Sequence, residues 1–286
     1  MTCPPQPGRL PDFLLVGAAR AGTTTLARWL NAHPHCHISP EKEIFFFDSD
    51  ELWAQGPGWY CSRFSQARRD QLVGEASTSY IFYEAVAERM ASIVPEAKLI
   101  AIVRHPVDRA YSHYCFIRML RDLYGPPEKR DFATAVREEL DGCVERTREY
   151  VARGYYAEQL ERLLSFYPTQ QLKILLFDDL ANAPRTVWHQ LAEFLGLTPL
   201  PEPRHITRPV NATQAYKLQL FERLVRSARH KWDRPPSALS SRIDAWNQRR
   251  LPPMSPKLRE LLIEHYRPHN IRLERMLSRN LPTWNA

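Results

Sequence analysis

Residues 13–26 read "FLLVGAARAGTTTL": an apolar run, Gly17, four residues, Gly22, and then three threonines. A short continuous apolar run closed by turn residues is the pattern of a fully buried strand. The stretch that follows, "TTTLARWLNAH", puts Leu26, Trp29 and Leu30 on one face of a helix, with Thr23 expected at its N-cap. A strand, a glycine loop and a helix start form a cradle for an anion. Backbone N–H groups and the helix N-terminus point at the ligand, and the glycines let the backbone come close. Loops that hold nucleoside triphosphates carry Lys and then Ser or Thr after the second glycine. Here Thr23, Thr24 and Thr25 follow Gly22, and the loop's cation is Arg20, placed before Ala21 and Gly22.

Further strands alternate with helices along the next 180 residues. "QLVGEAS", "AKLIAIVRHP" and "LKILLFDDL" read as buried strands. "AVAERMASIVP", "VDRAYSHYCFIRML", "YYAEQLERLLSFYP" and "RTVWHQLAEFLGL" read as helices, the first stopped by Pro95 and the last by Gly196. That alternation predicts an α/β fold, a P-loop-type three-layer sandwich with a central parallel sheet. From about Arg204 no strand pattern is evident, and "SPKLRELLIEHYRPHNIRLERML" starts a strong helix at Ser255 and Pro256. The expectation is one domain over 1–286 with a helical C-terminal extension. Residues 205–250 form its variable part, with "RHKWDRPPSALSS" as its loosest stretch.

Composition narrows the function classes. Apolar residues are 44% and charged residues 25% of the 286, as in an ordinary globular chain with a full core. The net charge of +7 and pI near 9.2 suit an anionic ligand. No block of like charges and no basic, aromatic-studded helix occurs, so nucleic acid is not an expected partner. The five cysteines are widely spaced without a CxxC pair, which suggests neither zinc nor a disulfide framework. Reduced thiols, no signal-peptide pattern at "MTCPPQPGRLPD" and no long apolar stretch lead to an expectation of a cytoplasmic chain without a membrane span.

A second anion site is written in "IVRHPVDRAYSHY". Arg104 stands at the carboxyl end of a strand, where open α/β sheets bind ligands. Ser112 comes eight residues later, two turns into the next helix, and Arg plus a hydroxyl suits a phosphate monoester. Arg109, between them, could serve structure instead. No aspartate ends "LIAIV", and Asp178 and Asp179 after "ILLF" are read as the N-cap of a helix in preference to a magnesium site. No metal is expected. The two sites together suit one nucleotide with phosphates at two places.

In these features the chain resembles the sulfotransferases that use 3′-phosphoadenosine 5′-phosphosulfate (PAPS), in particular the heparan-sulfate and bacterial branch. "GAARAGTTTL" is similar to that family's 5′-phosphosulfate loop. "RHPVDRAYSHY" is similar to its 3′-phosphate motif, and "PEKEIFFFD", "GEASTSYIF", "RGYYAEQLERLLSFYP" and "YRPHNIRLERML" extend the likeness. The resemblance implies that Arg20, Ala21, Gly22, Thr23, Thr24, Thr25, Arg104 and Ser112 hold the donor, which leaves as adenosine 3′,5′-bisphosphate. It implies Glu43 as the base that takes the acceptor's proton. Arg20 would stabilise leaving-group charge where the family usually has Lys, and Lys42 would assist it. Tyr80, Tyr155 and Tyr156 are candidates for the acceptor pocket, with a place in the core as the alternative, and the acceptor is expected to be a carbohydrate, glycolipid or small metabolite. The chain departs from the pattern at Arg20, at Ala76 in place of a Lys, and at Gln159 in place of a His.

The residues themselves keep rivals open. His33, His35 and His37 compete with Glu43 for the base, and His105 and His113 lie in the 3′-phosphate motif. A kinase or NTPase with an altered loop would need ATP with magnesium. A non-catalytic nucleotide- or glycan-binding relative would bind without turnover.

Overall fold

Strand β1 (Phe13–Gly17) is buried along its whole length, as a strand covered on both faces must be. The computed structural model describes residues 8–41, 43–120, 128–143, 148–198, 202–203, 206, 215–216, 248–249 and 254–286. Helix α1 (Thr23–Asn31) follows the glycine loop and buries Leu26, Trp29 and Leu30, the face expected from their spacing. Next come β2 (Cys36–Ile38), α2 (Asp50–Trp53), α3 (Gly56–Ser62), β3 (Leu72–Ala76), α4 (Glu84–Ile93) and β4 (Lys98–Val103). Then follow α5 (Pro106–Leu120), α6 (Phe132–Leu140), α7 (Tyr156–Leu164), β5 (Leu172–Leu176), α8 (Phe177–Asn182) and α9 (Pro184–Leu195). The two-residue strands β6 (Ala215–Tyr216) and β7 (Gln248–Arg249) pair antiparallel, and α10 (Pro256–Leu277) is the last long helix.

The five long-range strands form one parallel sheet in the order β2-β3-β1-β4-β5. This is the α/β fold that the alternation predicted. Chain leaves β1 toward β2 and β3 on one side, while β4 and β5 lie on the other. The carboxyl ends of β1 and β4 therefore flank the topological switch point, where open sheets bind ligands. The glycine loop and Arg104 both emerge there.

Three local expectations change. The N-cap of α1 is Gly22, at φ 102° with no side-chain cap, and Thr23 is the first helical residue. The turn demands a left-handed conformation that glycine adopts freely. Asp178 and Asp179 sit inside the first turn of α8, where a helix dipole favours carboxylates, instead of capping it. The β6–β7 bridge lies in the segment read as strandless, and two residues are too few to show a period.

Residue contacts divide the chain into two compact units, Met1–Arg109 with Ala152–Asn211 and Leu262–Ala286, and Ala110–Val151 with Ala212–Leu261. The sheet belongs entirely to the first. In the second, buried Glu128 accepts hydrogen bonds from Arg130 at 2.8 Å and from the Tyr150 hydroxyl at 2.8 Å. Burial pushes this carboxyl up, but those donors outweigh it and hold it at about 2. Lys42 and "RHKWDRPPSALSS" lie outside the described residues.

Candidate active site

Glycine is required at both ends of the β1–α1 loop. A Cβ on Gly17 would stand 2.4 Å from Ile81 Cγ2 and 3.0 Å from the Thr78 carbonyl oxygen. On Gly22 it would meet Leu180 Cδ2 at 2.9 Å. The loop is pinned at its start by the Ala18 N–H, which donates to Ile102 O of β4 at 2.8 Å. Ala21 N–H donates back to Ala18 O at 3.2 Å, and Thr25 N–H donates to Gly22 O at 2.9 Å. Those two amides thus serve the turn itself. Ala21 is fully buried, Thr23 and Thr25 are buried, and Arg20 and Thr24 are half-buried. Of the loop's three hydroxyl side chains, Thr24 has the most surface, and Arg20 stands in the left-handed region at φ 70°.

Arg104 closes on this loop. Its Nη1 donates to the Arg20 carbonyl at 3.3 Å, and its guanidinium lies 4.6 Å from the Phe177 ring centre. Burial lowers its pKa below the usual arginine value, against the opposing pull of Asp108, Tyr156 and Asp178. An arginine stacked on a ring and fixed through one donor keeps others for an anion. The backbone of Arg104 is held as well: the Tyr156 hydroxyl donates to Arg104 O at 2.9 Å. Burial pushes that hydroxyl up to about 12, so it stays a donor at neutral pH. Ser112 is buried on α5 and belongs to the second unit.

Glu43 reaches the same loop through Thr78. Its carboxylate accepts from Thr78 N–H at 2.8 Å and from Thr78 Oγ1 at 3.0 Å. The carbonyl of Thr78 is, with Ile81, one of the two groups that a Cβ on Gly17 would meet. Glu43 and Phe45 both have left-handed backbones, at φ 63° and 58°. Such residues cost about 1–3 kcal/mol each and persist where surroundings over-determine them. Here Glu43 N–H donates to Ala76 O at 3.0 Å, and Phe46 and Phe47 are fully buried.

The profile of the sulfotransferase domain matches residues 10–222 of this chain. The chain belongs to the sulfotransferase domain family. A sulfotransferase from Alicyclobacillus acidocaldarius, known from its crystal structure, superposes with a TM-score of 0.71 at 27% identity, covering 97% of this chain and 100% of that one. The mouse protein named bifunctional heparan sulfate N-deacetylase/N-sulfotransferase 4 is 31% identical over 96% of this chain. The mouse protein named heparan sulfate glucosamine 3-O-sulfotransferase 5 is 30% identical over 67% of it, and the match spans 55% of that protein. The chain spans 31% of the length of the N-deacetylase/N-sulfotransferase relatives.

Within this sulfotransferase domain the structure gives the expected site residues these surroundings. Tyr80 is buried and its hydroxyl donates to Glu75 Oε1 at 2.7 Å. Tyr156 is buried beneath Arg104, as described, because its ring belongs to the core around α7. Tyr155 is half-buried, with its hydroxyl 2.7 Å from His265 Nε2 and its ring stacked on His269. His33 and His35 precede β2, at the amino end of the parallel sheet and opposite to the glycine loop. His33 Nε2 lies 3.1 Å from Thr198 O, and the His35 N–H donates to His33 Nδ1 at 3.2 Å. That end also carries a cavity of about 430 Å³ lined by Phe13, Leu72, Lys98 and Leu195, remote from the loop. His105 packs near Trp284 and His113 near Tyr150, both as buried rings. Asp178 accepts from Trp284 Nε1 and Asp179 pairs with Arg279. Gln159 is buried and donates to Ala152 O.

Two features of the domain escaped sequence reading. Glu75, inside "GEASTSY", is fully buried at the end of β3 and accepts hydrogen bonds from Tyr60, Ser77 and Tyr80. Burial pushes its carboxyl up to about 7, and the three hydroxyls keep it from going higher. A charged residue inside an apolar strand was the available signal. Trp284, two residues from the C-terminus of the sequence, is fully buried with rings 6.0 Å from His105 and 6.2 Å from Tyr156. No period marks a lone tail tryptophan.

Proposed function

We propose that this chain moves a sulfonate from PAPS to a hydroxyl or amine of a carbohydrate acceptor, releasing adenosine 3′,5′-bisphosphate. Membership of the sulfotransferase family supports the reaction type. The names of the heparan-sulfate relatives support the carbohydrate over a glycolipid or small metabolite. The observation that carries the reading is Thr78. One residue orients the Glu43 carboxylate with its N–H and hydroxyl and has its carbonyl beside Gly17, which supports the reading of Glu43 as a base next to the donor loop.

The chemistry follows from that placement. The acceptor's O–H or N–H gives its proton to Glu43 as its heteroatom attacks sulfur. The bond from sulfur to the 5′-phosphate oxygen breaks in line, and its electrons stay on the bisphosphate. Thr24, the start of α1 and Arg20 stabilise the charge that builds there. Arginine's high pKa gives Arg20 an electrostatic role without proton transfer. Arg104 is assigned the 3′-phosphate; Ser112 and Lys42 keep the roles that the resemblance implies for them.

Titration calorimetry tests the donor. Adenosine 3′,5′-bisphosphate should bind without magnesium, and Arg104→Ala should weaken it by at least about tenfold, the loss of one charge-assisted contact. Binding of ATP only with magnesium would favour a kinase-like reading instead. Incubation with labelled PAPS and desulfated heparan sulfate bearing free amines, read by mass gain of one sulfonate, tests the acceptor class. Nucleotide binding with no transfer to any carbohydrate, glycolipid or metabolite would favour a binding module.

A further inference from the structure

The segment that carries Glu43 is anchored by two side-chain oxygens that accept from its backbone. Phe45 N–H donates to Ser77 Oγ at 3.3 Å, and Phe47 N–H donates to the Tyr80 hydroxyl at 3.4 Å. A hydroxyl has one proton and two lone pairs, so whether it accepts depends on where its proton goes. Both protons go to one atom. Ser77 Oγ donates to Glu75 Oε1 at 2.5 Å, and the Tyr80 hydroxyl donates to the same oxygen at 2.7 Å. The Tyr60 hydroxyl donates to the other oxygen, Oε2. All of these groups are in the first unit of the chain.

We propose that Glu75 is a positioning residue for the sulfonyl-transfer site: by taking the protons of Ser77 and Tyr80 it leaves their oxygens to accept from Phe45 and Phe47, and so holds the segment that presents Glu43. The segment needs such a hold because Glu43 and Phe45 stand in left-handed backbone conformations that would relax if released. Hydrogen bonds in a buried network depend on one another, so removing the hub disorders the arms. Aromatic packing assists on the far side, where Phe46 stacks on Tyr60 at 4.4 Å between ring centres. Glu75 touches no reacting atom in this scheme. Its consequence for catalysis rests on the reading of Glu43 as the base.

The test replaces Glu75 and reads the segment and the reaction separately. In Glu75→Leu, amide hydrogen exchange of Phe45 and Phe47, followed by NMR at pH 8, should accelerate by about tenfold, as expected for losing one hydrogen bond each. Glu75→Gln can present one carbonyl oxygen to Ser77 and Tyr80 and its amide to Tyr60, and should restore most of the protection. Affinity for adenosine 3′,5′-bisphosphate should stay at the wild-type value while kcat with desulfated heparan sulfate falls. If Glu75→Leu does not fold, Glu75→Asp, whose shorter arm withdraws the carboxylate from both hydroxyls, should show the same faster exchange. Unchanged protection in the Leu or Asp variant, or no rescue by Gln, overturns the proposal. An equal loss of bisphosphate affinity also overturns it, since the role would then be general to the fold. A Glu43→Gln variant with wild-type turnover would instead remove the base assignment, while the exchange data would still decide whether Glu75 holds the segment.

Discussion

Glu43 and Glu75 are two carboxylates with opposite surroundings. Glu43 is half-buried and held by Thr78, whereas Glu75 is sealed inside the core. Replacing the first should affect chemistry alone. Glu43→Gln should lower kcat by about 10²–10⁴, the usual worth of a general base, with bisphosphate affinity unchanged by calorimetry. Replacing the second should alter how stability depends on pH. Burial raises the Glu75 pKa from its ordinary value to about 7, so between about 4.5 and 7 the native state holds a proton that the unfolded chain has lost. Stability therefore falls as pH rises through that window. Urea midpoints at pH 5 and pH 8 should show that fall in the wild type and a smaller one in Glu75→Gln.

The β1–α1 turn shows how an element places chemistry. Its sequence already carried the cradle, but the use of its groups is decided by contacts. Ala21 and Thr25 amides close the turn, Thr23 and Thr25 side chains are covered, and Thr24 with Arg20 keeps a surface. Gly22→Ala would force a Cβ at φ 102° and 2.9 Å from Leu180. It should cost about 1–3 kcal/mol in urea unfolding, the range for one strained residue. Bisphosphate binding should weaken with it, because α1 and the loop would shift together. An unchanged midpoint and affinity would show that the turn tolerates a side chain. The start of α10 was legible by the same local logic: Ser255 Oγ accepts from Leu258 N–H at 3.3 Å, as its place before Pro256 implied.

Long-range pairing decides the molecule's polarity. Parallel strands bring the loop after β1, Glu43, Thr78 and Arg104 to one end of the sheet and His33 and His35 to the other. The C-terminal tail then locks the Arg104 side from beneath. Trp284 is buried, donates to Asp178, and receives through its carbonyl a bond from Asn270 Nδ2 at 3.1 Å. Trp284→Ala should destabilise the protein by about 3–5 kcal/mol, as large core truncations do, measured by urea unfolding. A shift under about 1 kcal/mol would place the tail outside the core.

Local physics explains what was readable in the chain. Apolar runs, helical stripes, paired glycines and a cation before Gly22 are short-range patterns, and they determined the α/β alternation, marked the glycine loop as a candidate anion cradle and marked Glu43 as a carboxylate beside aromatics. The tertiary structure alone decided which polar side chains face the site. Tyr80 and Tyr156 carry the same chemical groups as a binding tyrosine, and only the strands packed around them make them internal supports. Glu75 meets Tyr60 and Tyr80 because β3 is buried between β2 and β1, and Trp284 meets His105 because the tail returns to the sheet. A hydroxyl or a carboxylate has no fixed role in a sequence. Its partners, burial and end of the sheet assign one, and those are set by residues far away along the chain.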